Sequence, residues 1–253
     1  MANFKLGIIG SGQLGRMTVQ AAADYGISCH IFSPDAENSP AGQICNSFTV
    51  AEYKDKKALR YFYEMVDAVV CEFENVPVTV LEMAPEKILV SPGIKALVTA
   101  QNRLDEKDTA RFLGIPTAPY WKVESSDDLT NAMNLLNGEA ILKTAKFGYD
   151  GKGQIRAHMD DDLKSLWQQI NTKLAILETF IDFKKEISIL IARTTEGVIK
   201  FFPPTINNHE NGILVHSKAP AILPSRITEA GYNYVKLMAE HLEIVGLLTM
   251  EFF

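Results

Sequence analysis

Apolar residues recur along this chain at two spacings, and the changes between them lay out most of its elements. Phe4 to Ile9 is a short β-rich run that stops at Gly10. Helical spacing then runs to Tyr25, and Gly26 stands where a helix C-terminus favours glycine. Strands are predicted at Ile27–Phe32, Phe48–Val50, Ala68–Cys71 and Ile88–Val90, with a helix at Lys56–Met65. From Ile94 to Leu113 the pattern is helical throughout and closes at Gly114. Ile115 to Pro119 is proline-rich and extended, a crossing between domains. Asp127 is placed as the cap of a helix with Leu129, Ala132, Met133 and Leu136 inward, and Asp160 as the cap of one with Leu163, Leu166, Trp167 and Ile170 inward. Strands follow at Ala175–Ile181, Glu186–Ile191 and Val198–Phe202. Thr205 to Val215 reads as polar and turn-rich, Ser225 to Glu243 as a long amphipathic helix, and Gly246 to Phe253 as a last strand.

Candidate chemistry sits where elements meet. G-S-G-Q-L-G, Gly10 to Gly15, joins the first strand to the first helix, as in a dinucleotide fingerprint. Asp35 lies near the distance of a ribose-binding acid, but beyond the second strand. The loop can hold a dinucleotide, hold another phosphate at the helix N-terminus, or only pack strand on helix. Glu72 and Glu74 follow a buried strand, where open α/β sheets bind ligands. They equally suit a helix start before Pro77.

The richest stretch is A-I-L-K-T-A-K-F-G-Y-D-G-K-G-Q, Ala140 to Gln154. A buried strand ends in Lys143, and Gly148, Gly151 and Gly153 follow, with Lys146 and Lys152 between. Glycines allow close backbone approach to an anion, and the lysines supply countercharge. A phosphate-holding loop and a glycine-rich hairpin with solvated lysines both fit. Arg103 on a helix and His209 in a polar loop are, alone, ordinary surface residues. Glu251 is a carboxylate in an apolar strand, costly unless paired or ligating a cation, or else a polar-face residue with Thr249.

Composition narrows the class. At 253 residues, 47% hydrophobic and 22% charged, the chain is an ordinary globular sequence of one large or two modest domains. Its net charge of −6 argues against a general nucleic-acid binder. Cys29, Cys45 and Cys71 form no C-x-x-C pair. Neither a signal peptide nor a membrane-length apolar run is seen, so a cytoplasmic enzyme is expected.

The set of motifs resembles the ATP-grasp superfamily, and within it the family that carboxylates aminoimidazole ribonucleotide in purine biosynthesis. G-S-G-Q-L-G-R-M at Gly10, E-F-E-N-V-P at Glu72, I-P-T-A-P-Y at Ile115 and F-G-Y-D-G-K-G-Q at Phe147 carry the likeness, extended by T-I-N-N-H-E-N-G-I-L at Thr205 and the closing M-E-F-F. The resemblance implies an α/β fold: a Rossmann-like pre-ATP-grasp domain over residues 1–93, then α+β ATP-grasp subdomains over 94–253. It implies that ATP is bound by Arg103, Lys143, Gly148, Tyr149, Asp150, Gly151, Lys152, Gly153, Gln154, Glu178, Thr179, Phe180, Ile181, Glu186 and His209. Tyr149, Asp150 and Lys152 would be catalytic and hold the ribonucleotide, with Gln13, Leu14 and Glu72 accepting its ribose phosphate end. Glu251 would ligate Mg2+.

The implied reaction uses ATP and bicarbonate to form carboxyphosphate, and carbon dioxide or carboxyphosphate then carboxylates the ribonucleotide amine. A homodimer, and a separate mutase taking the product, come with the resemblance. The family continues past Phe253 with a second magnesium-binding glutamate and a C-terminal domain, so the sequence is expected to be incomplete for activity. The alternatives are a formate-dependent glycinamide ribonucleotide transformylase, against which Gln13 and Tyr149–Asp150 speak, a Rossmann oxidoreductase, which leaves Lys143 and Glu251 unexplained, and a non-catalytic ATP-binding remnant.

Overall fold

A computed structural model describes residues 4–136, 138–148, 153–210 and 213–253. The chain forms two compact units: Met1–Val98 with Glu243–Gly246, and Thr99–Leu242 with Leu247–Phe253.

The first unit runs β1 (Lys5–Ile9), α1 (Gln13–Asp24), β2 (Ser28–Ser33), β3 (Ser47–Val50), α2 (Lys56–Glu64), β4 (Ala68–Cys71), α3 (Val78–Glu82), β5 (Leu89–Ser91) and most of α4 (Ile94–Ala100). Its strands make one parallel sheet in the order β3-β2-β1-β4-β5. Parallel strands need crossovers that cover both faces, and the buried apolar residues divide accordingly. Ile9, Phe32, Phe62, Val69 and Leu81 pack in one core, and Ile8, Val19, Cys29 and Ile31 in the other. The strand order reverses between β1 and β4, so Gly10 and Glu72 leave the sheet side by side.

A buried histidine lies on β2. His30 Nδ1 is 2.7 Å from Ser47 Oγ and Nε2 is 2.8 Å from Thr49 Oγ1, both on β3. Burial, reinforced by Lys5, pushes its pKa down to about 4.

The second unit begins with α5 (Arg103–Phe112), β6 (Tyr120–Val123), α6 (Ser126–Leu136), β7 (Ala140–Thr144), β8 (Gln154–Ala157), α7 (Leu163–Ile170) and β9 (Ala175–Thr179). These four strands form an antiparallel sheet in the order β6-β9-β7-β8. One face carries Leu142 and Leu177 into a core with Leu129 and Met133 of α6. On another cluster, Leu104 of α5 packs with Tyr120, Ala145 and Ile176.

The chain continues through β10 (Glu186–Arg193), β11 (Ile199–Phe201), β12 (Thr205–Glu210), β13 (Ile213–Lys218), α8 (Ser225–His241) and β14 (Gly246–Phe252). They build a second sheet, β11-β10-β12-β13, with β14 also on β10. Ile187, Ile189 and Ile191 are buried, as the period-two pattern predicts. A Cβ on Gly231 of α8 would collide with the Ile189 side chain, so that helix lies close on β10. No helix among the described residues is long and apolar enough to cross a membrane.

Four expectations need correction. The single helix from Ile94 to Leu113 is two, because Asn102 interrupts it and its side chain accepts the Leu104 N–H at 3.2 Å. Asp127 does not cap α6; Ser125 Oγ takes the Asp128 N–H at 3.1 Å. Asp162, not Asp160, caps α7, accepting from Lys164 and Ser165. The polar segment from Thr205 contains strands β12 and β13, tied by Asn207 to Ser217 and Asn208 to His216.

Candidate functional site

In the first unit the glycine loop is already filled. Glu72 Oε1 accepts the Gly12 N–H at 2.5 Å, and Oε2 accepts that of Gly15. A Cβ on Gly15 would sit 2.8 Å from Glu72 Oε2, and one on Gly10 would collide with the Glu72 side chain. The glycines are therefore small to admit this carboxylate. An internal anion occupies the positive end of α1, where a dinucleotide would place its pyrophosphate. Asp35 is engaged too: Ser11 Oγ donates to it at 2.7 Å and Ser33 Oγ also donates. Those hydroxyls, Ser33 first, hold its carboxyl below the usual range. Gln13 and Leu14 open α1 beside the loop, and both are exposed.

In the second unit the strand registers assemble a cationic cluster. Lys143 on β7 faces Ile176 on β9, and Ile141 faces Glu178. Lys143 and Glu178 are thus diagonal neighbours on one face. Lys143 Nζ lies 2.9 Å from Glu178 Oε2. Lys107 Nζ, from α5, lies 3.4 Å from the other oxygen, Oε1. All three side chains are largely enclosed, at 20%, 19% and 8% exposure for Lys143, Lys107 and Glu178. Burial pushes the Glu178 carboxyl up, but Lys143 and then Lys107 outweigh it and hold it below its ordinary range. Burial, opposed by Glu178 and aided by Lys143, lowers the Lys107 ammonium.

The glycine stretch is a β-hairpin: Lys143 pairs with Gln154, and the loop between β7 and β8 holds Gly148 and Gly153. Lys143 is enclosed, whereas Lys146 is exposed as a plain hairpin would leave it. Arg103 fastens the loop's base, its backbone N–H to Ala145 O at 2.9 Å and its guanidinium to Gly148 O at 3.0 Å. Gly153 has φ +71, and its carbonyl accepts the Thr144 N–H at 2.8 Å. Tyr149, Asp150, Gly151 and Lys152 lie outside the described residues. Beyond Glu178, the Thr179 and Phe180 N–H groups are taken by Pro119 O and Glu139 O, both at 2.9 Å. Ile181 follows in the connector to β10.

The second sheet presents another polar group. Glu186 opens β10 opposite Asn207 of β12, and His209 is two residues further along β12. His209 Nδ1 is 3.4 Å from Glu186 Oε1, a buried oxygen that accepts no hydrogen bond from the described residues. Glu251, on neighbouring β14, is not embedded among apolar residues as its strand's composition suggested. It is exposed on the strand face of Leu247 and Thr249, because β14 alternates regularly. Partial desolvation and then Glu186 nonetheless raise its pKa, against His209. Among the described residues no three His, Cys, Asp or Glu side chains are gathered as a metal site.

Lys107 escaped the sequence reading. The available signal was its position four residues after Arg103, on the same side of α5.

A lysine pair over a carboxylate beside a glycine hairpin, after a parallel α/β unit, defines a class. A model of the ribonucleotide synthetase preATP-grasp domain matches residues 3–101, and one of the ATP-grasp domain matches residues 108–253. The chain belongs to the ATP-grasp proteins. It is 40% identical over 250 residues to an N5-carboxyaminoimidazole ribonucleotide synthase of Brucella melitensis, covering 98% of this chain and 69% of that protein. The family is therefore that of the N5-carboxyaminoimidazole ribonucleotide synthases. A crystal structure of the Staphylococcus aureus synthetase complexed with ADP superposes with a TM-score of 0.92 at 33% identity, over 99% of this chain and 66% of that one. The Aspergillus clavatus synthase in complex with ADP and the aminoimidazole ribonucleotide gives 0.89 at 25%, over 100% and 67%. The chain thus spans roughly two thirds of its relatives' length.

Proposed function

We propose that the protein carrying this chain uses ATP and bicarbonate to carboxylate the exocyclic amine of aminoimidazole ribonucleotide, in purine biosynthesis. The observation that carries this reading is the Lys107–Glu178–Lys143 cluster at the base of the glycine hairpin. It offers enclosed positive charge where phosphates are expected, and relatives of this fold are described in complex with ADP.

Lys143 is the cation for the ATP phosphates. Arg103 holds the base of the loop from Gly148 to Gln154, which closes over them. Tyr149, Asp150 and Lys152 in that loop meet the ribonucleotide and the reacting groups. The connector of Glu178, Thr179, Phe180 and Ile181 reads adenine through backbone carbonyls and the Ile181 N–H, since two earlier N–H groups are committed. Glu186, whose Oε1 accepts no hydrogen bond from the described residues, accepts a ribose hydroxyl, and His209 lies beside it. Gln13, Leu14 and Glu72 form a ribonucleotide surface on the first unit. Glu72 serves it by shaping the loop, because both its oxygens are already engaged.

Bicarbonate attacks the γ-phosphorus of ATP, and ADP leaves with the electrons of the broken bond. The carboxyphosphate then passes its carboxyl group to the amine, releasing inorganic phosphate. Phosphoryl transfer of this kind needs positioning and countercharge rather than an enzyme nucleophile. Glu251 is the residue here that would hold magnesium: partial burial and then Glu186 disfavour its bare carboxylate, and a hard dication would offset both. When bound, it would supply further positive charge against the transferring group. A homodimer in the cytoplasm, handing its product to a separate mutase, completes the proposal.

The test is ADP release by the full-length natural chain, with bicarbonate, formate or neither, and with each candidate ribonucleotide. Turnover that needs bicarbonate and rises with aminoimidazole ribonucleotide supports the reading. Turnover that needs formate and glycinamide ribonucleotide overturns it.

A further inference from the structure

We propose that Lys107 is a positioning residue of the nucleotide site: it retains the Glu178 carboxylate so that Lys143 can be released to a phosphate. The inference rests on the reading of Lys143 as a phosphate ligand. It gives Lys107, which that reading counts only as part of the enclosed positive charge, a role of its own.

The geometry divides the carboxylate between two cations. Lys143 approaches Oε2 at 2.9 Å and Lys107 approaches Oε1 at 3.4 Å. Glu178 is 8% exposed, so little water reaches it to replace a lost partner. A nearly buried carboxylate left without a cation is strongly unfavourable. If Lys143 were its only partner, turning that ammonium toward an incoming phosphate would strand Glu178, and the two anions would compete for one lysine. Lys107 removes the conflict. It reaches the same group from a different element, so the carboxylate stays compensated when Lys143 leaves.

Lys107 is itself well placed to stay. It projects from α5, which Leu104 anchors against Ala145 and Ile176. Its ammonium lies 6.0 Å from the centroid of the Tyr120 ring, over which the Arg111 guanidinium lies at 3.8 Å. Tyr120 also faces Glu178 across the β6–β9 pair, and its hydroxyl donates to Asp108 on α5. Helix, ring and carboxylate form one packed unit, with Lys143 as the member contributed by β7 at the hairpin's base.

The experiment measures binding of the β,γ-imido analogue of ATP by calorimetry, in the full-length natural chain. Lys107→Met should weaken binding about tenfold, the effect of one moderately enclosed charge partner. Lys107→Arg should stay close to the native value. The decisive variant is Lys107→Met with Glu178→Gln. With the carboxylate neutralised, nothing holds Lys143 back, and affinity should recover toward native. A lysine that touched phosphate directly would show no such rescue. Should Lys107→Met fail to fold, Lys107→Gln is measured in the same pair. Native affinity in the single variant, or no recovery in the double, overturns the proposal. Absence of binding by the native chain overturns the nucleotide reading first, and this inference with it.

Discussion

Glu72 provides the most direct test of why the first unit is not a dinucleotide site. Glu72→Gln keeps the size of the side chain and removes its charge. One oxygen still accepts an N–H, but an amide NH2 now faces the other donor of the Gly12 and Gly15 pair. A hydrogen bond to a charged group contributes about 1.5–3 kcal/mol. The charge at the start of α1 adds about 0.3–1 kcal/mol. The variant should therefore lose about 2–4 kcal/mol in urea unfolding at neutral pH, or about 10 °C in Tm for a chain of this size. Glu72→Ala goes further and exposes the N–H groups. Inorganic phosphate should then restore part of its stability, because a helix N-terminus accepts such an anion. The native chain should gain nothing from phosphate at the Gly12 and Gly15 N–H groups, which Glu72 already holds. A loss under about 0.5 kcal/mol for Glu72→Gln, a surface-like value, would refute the internal-anion account.

Three further outcomes follow from particular residues. His30 titrates near 4 when folded and near 6.5 when free, so between those values the unfolded chain binds the extra proton and stability falls as pH drops. Urea unfolding should lose about 2 kcal/mol from this group between pH 7 and 5, and His30→Gln should flatten that slope; an unchanged slope contradicts it. Gly153→Ala must adopt a left-handed backbone and put its Cβ 2.8 Å from Thr144 Oγ1, whereas Gly26→Ala meets only the backbone strain. Thermal melts should show about 1 kcal/mol lost at Gly26 and clearly more at Gly153, and equal losses would count against the close approach. Asp150→Ala should raise the KM for the ribonucleotide several-fold while nucleotide affinity holds, checked by steady-state kinetics on the full-length chain.

Much of the fold was readable because it follows periodicity. β10 alternates cleanly, and α2 and α7 carry apolar faces that the sheet buries. What escaped was decided by polar pairing. Asn102 ends one helix and starts the next with a side-chain bond that apolar spacing cannot register. The run Asp160–Asp162 offers three possible caps, and only the strand-to-helix geometry selects the third, while Asp161 binds the His158 N–H at 2.8 Å. Strands β12 and β13 are held by Asn207, Asn208, Ser217 and His216, so their sequence looks like a loop.

The candidate site divides the same way. Lys143 stood out at its strand end, but its ion partner depends on the β7–β9 register, and no local pattern gives that. Glu72 stood out beside Pro77, yet its role as an internal anion depends on β4 lying next to β1. Glu251 had two readings from its sequence, an embedded carboxylate or a polar-face residue with Thr249, and the pleat of β14 selects the second.

The central claim is that Lys143 is the phosphate-holding cation of an ATP site. Calorimetric titration of magnesium ATP into the native full-length chain and into Lys143→Ala tests it most directly. The native chain should show saturable one-to-one binding and the variant at least a tenfold weaker constant, about 1.4 kcal/mol or more. Equal affinity in the two proteins would contradict it.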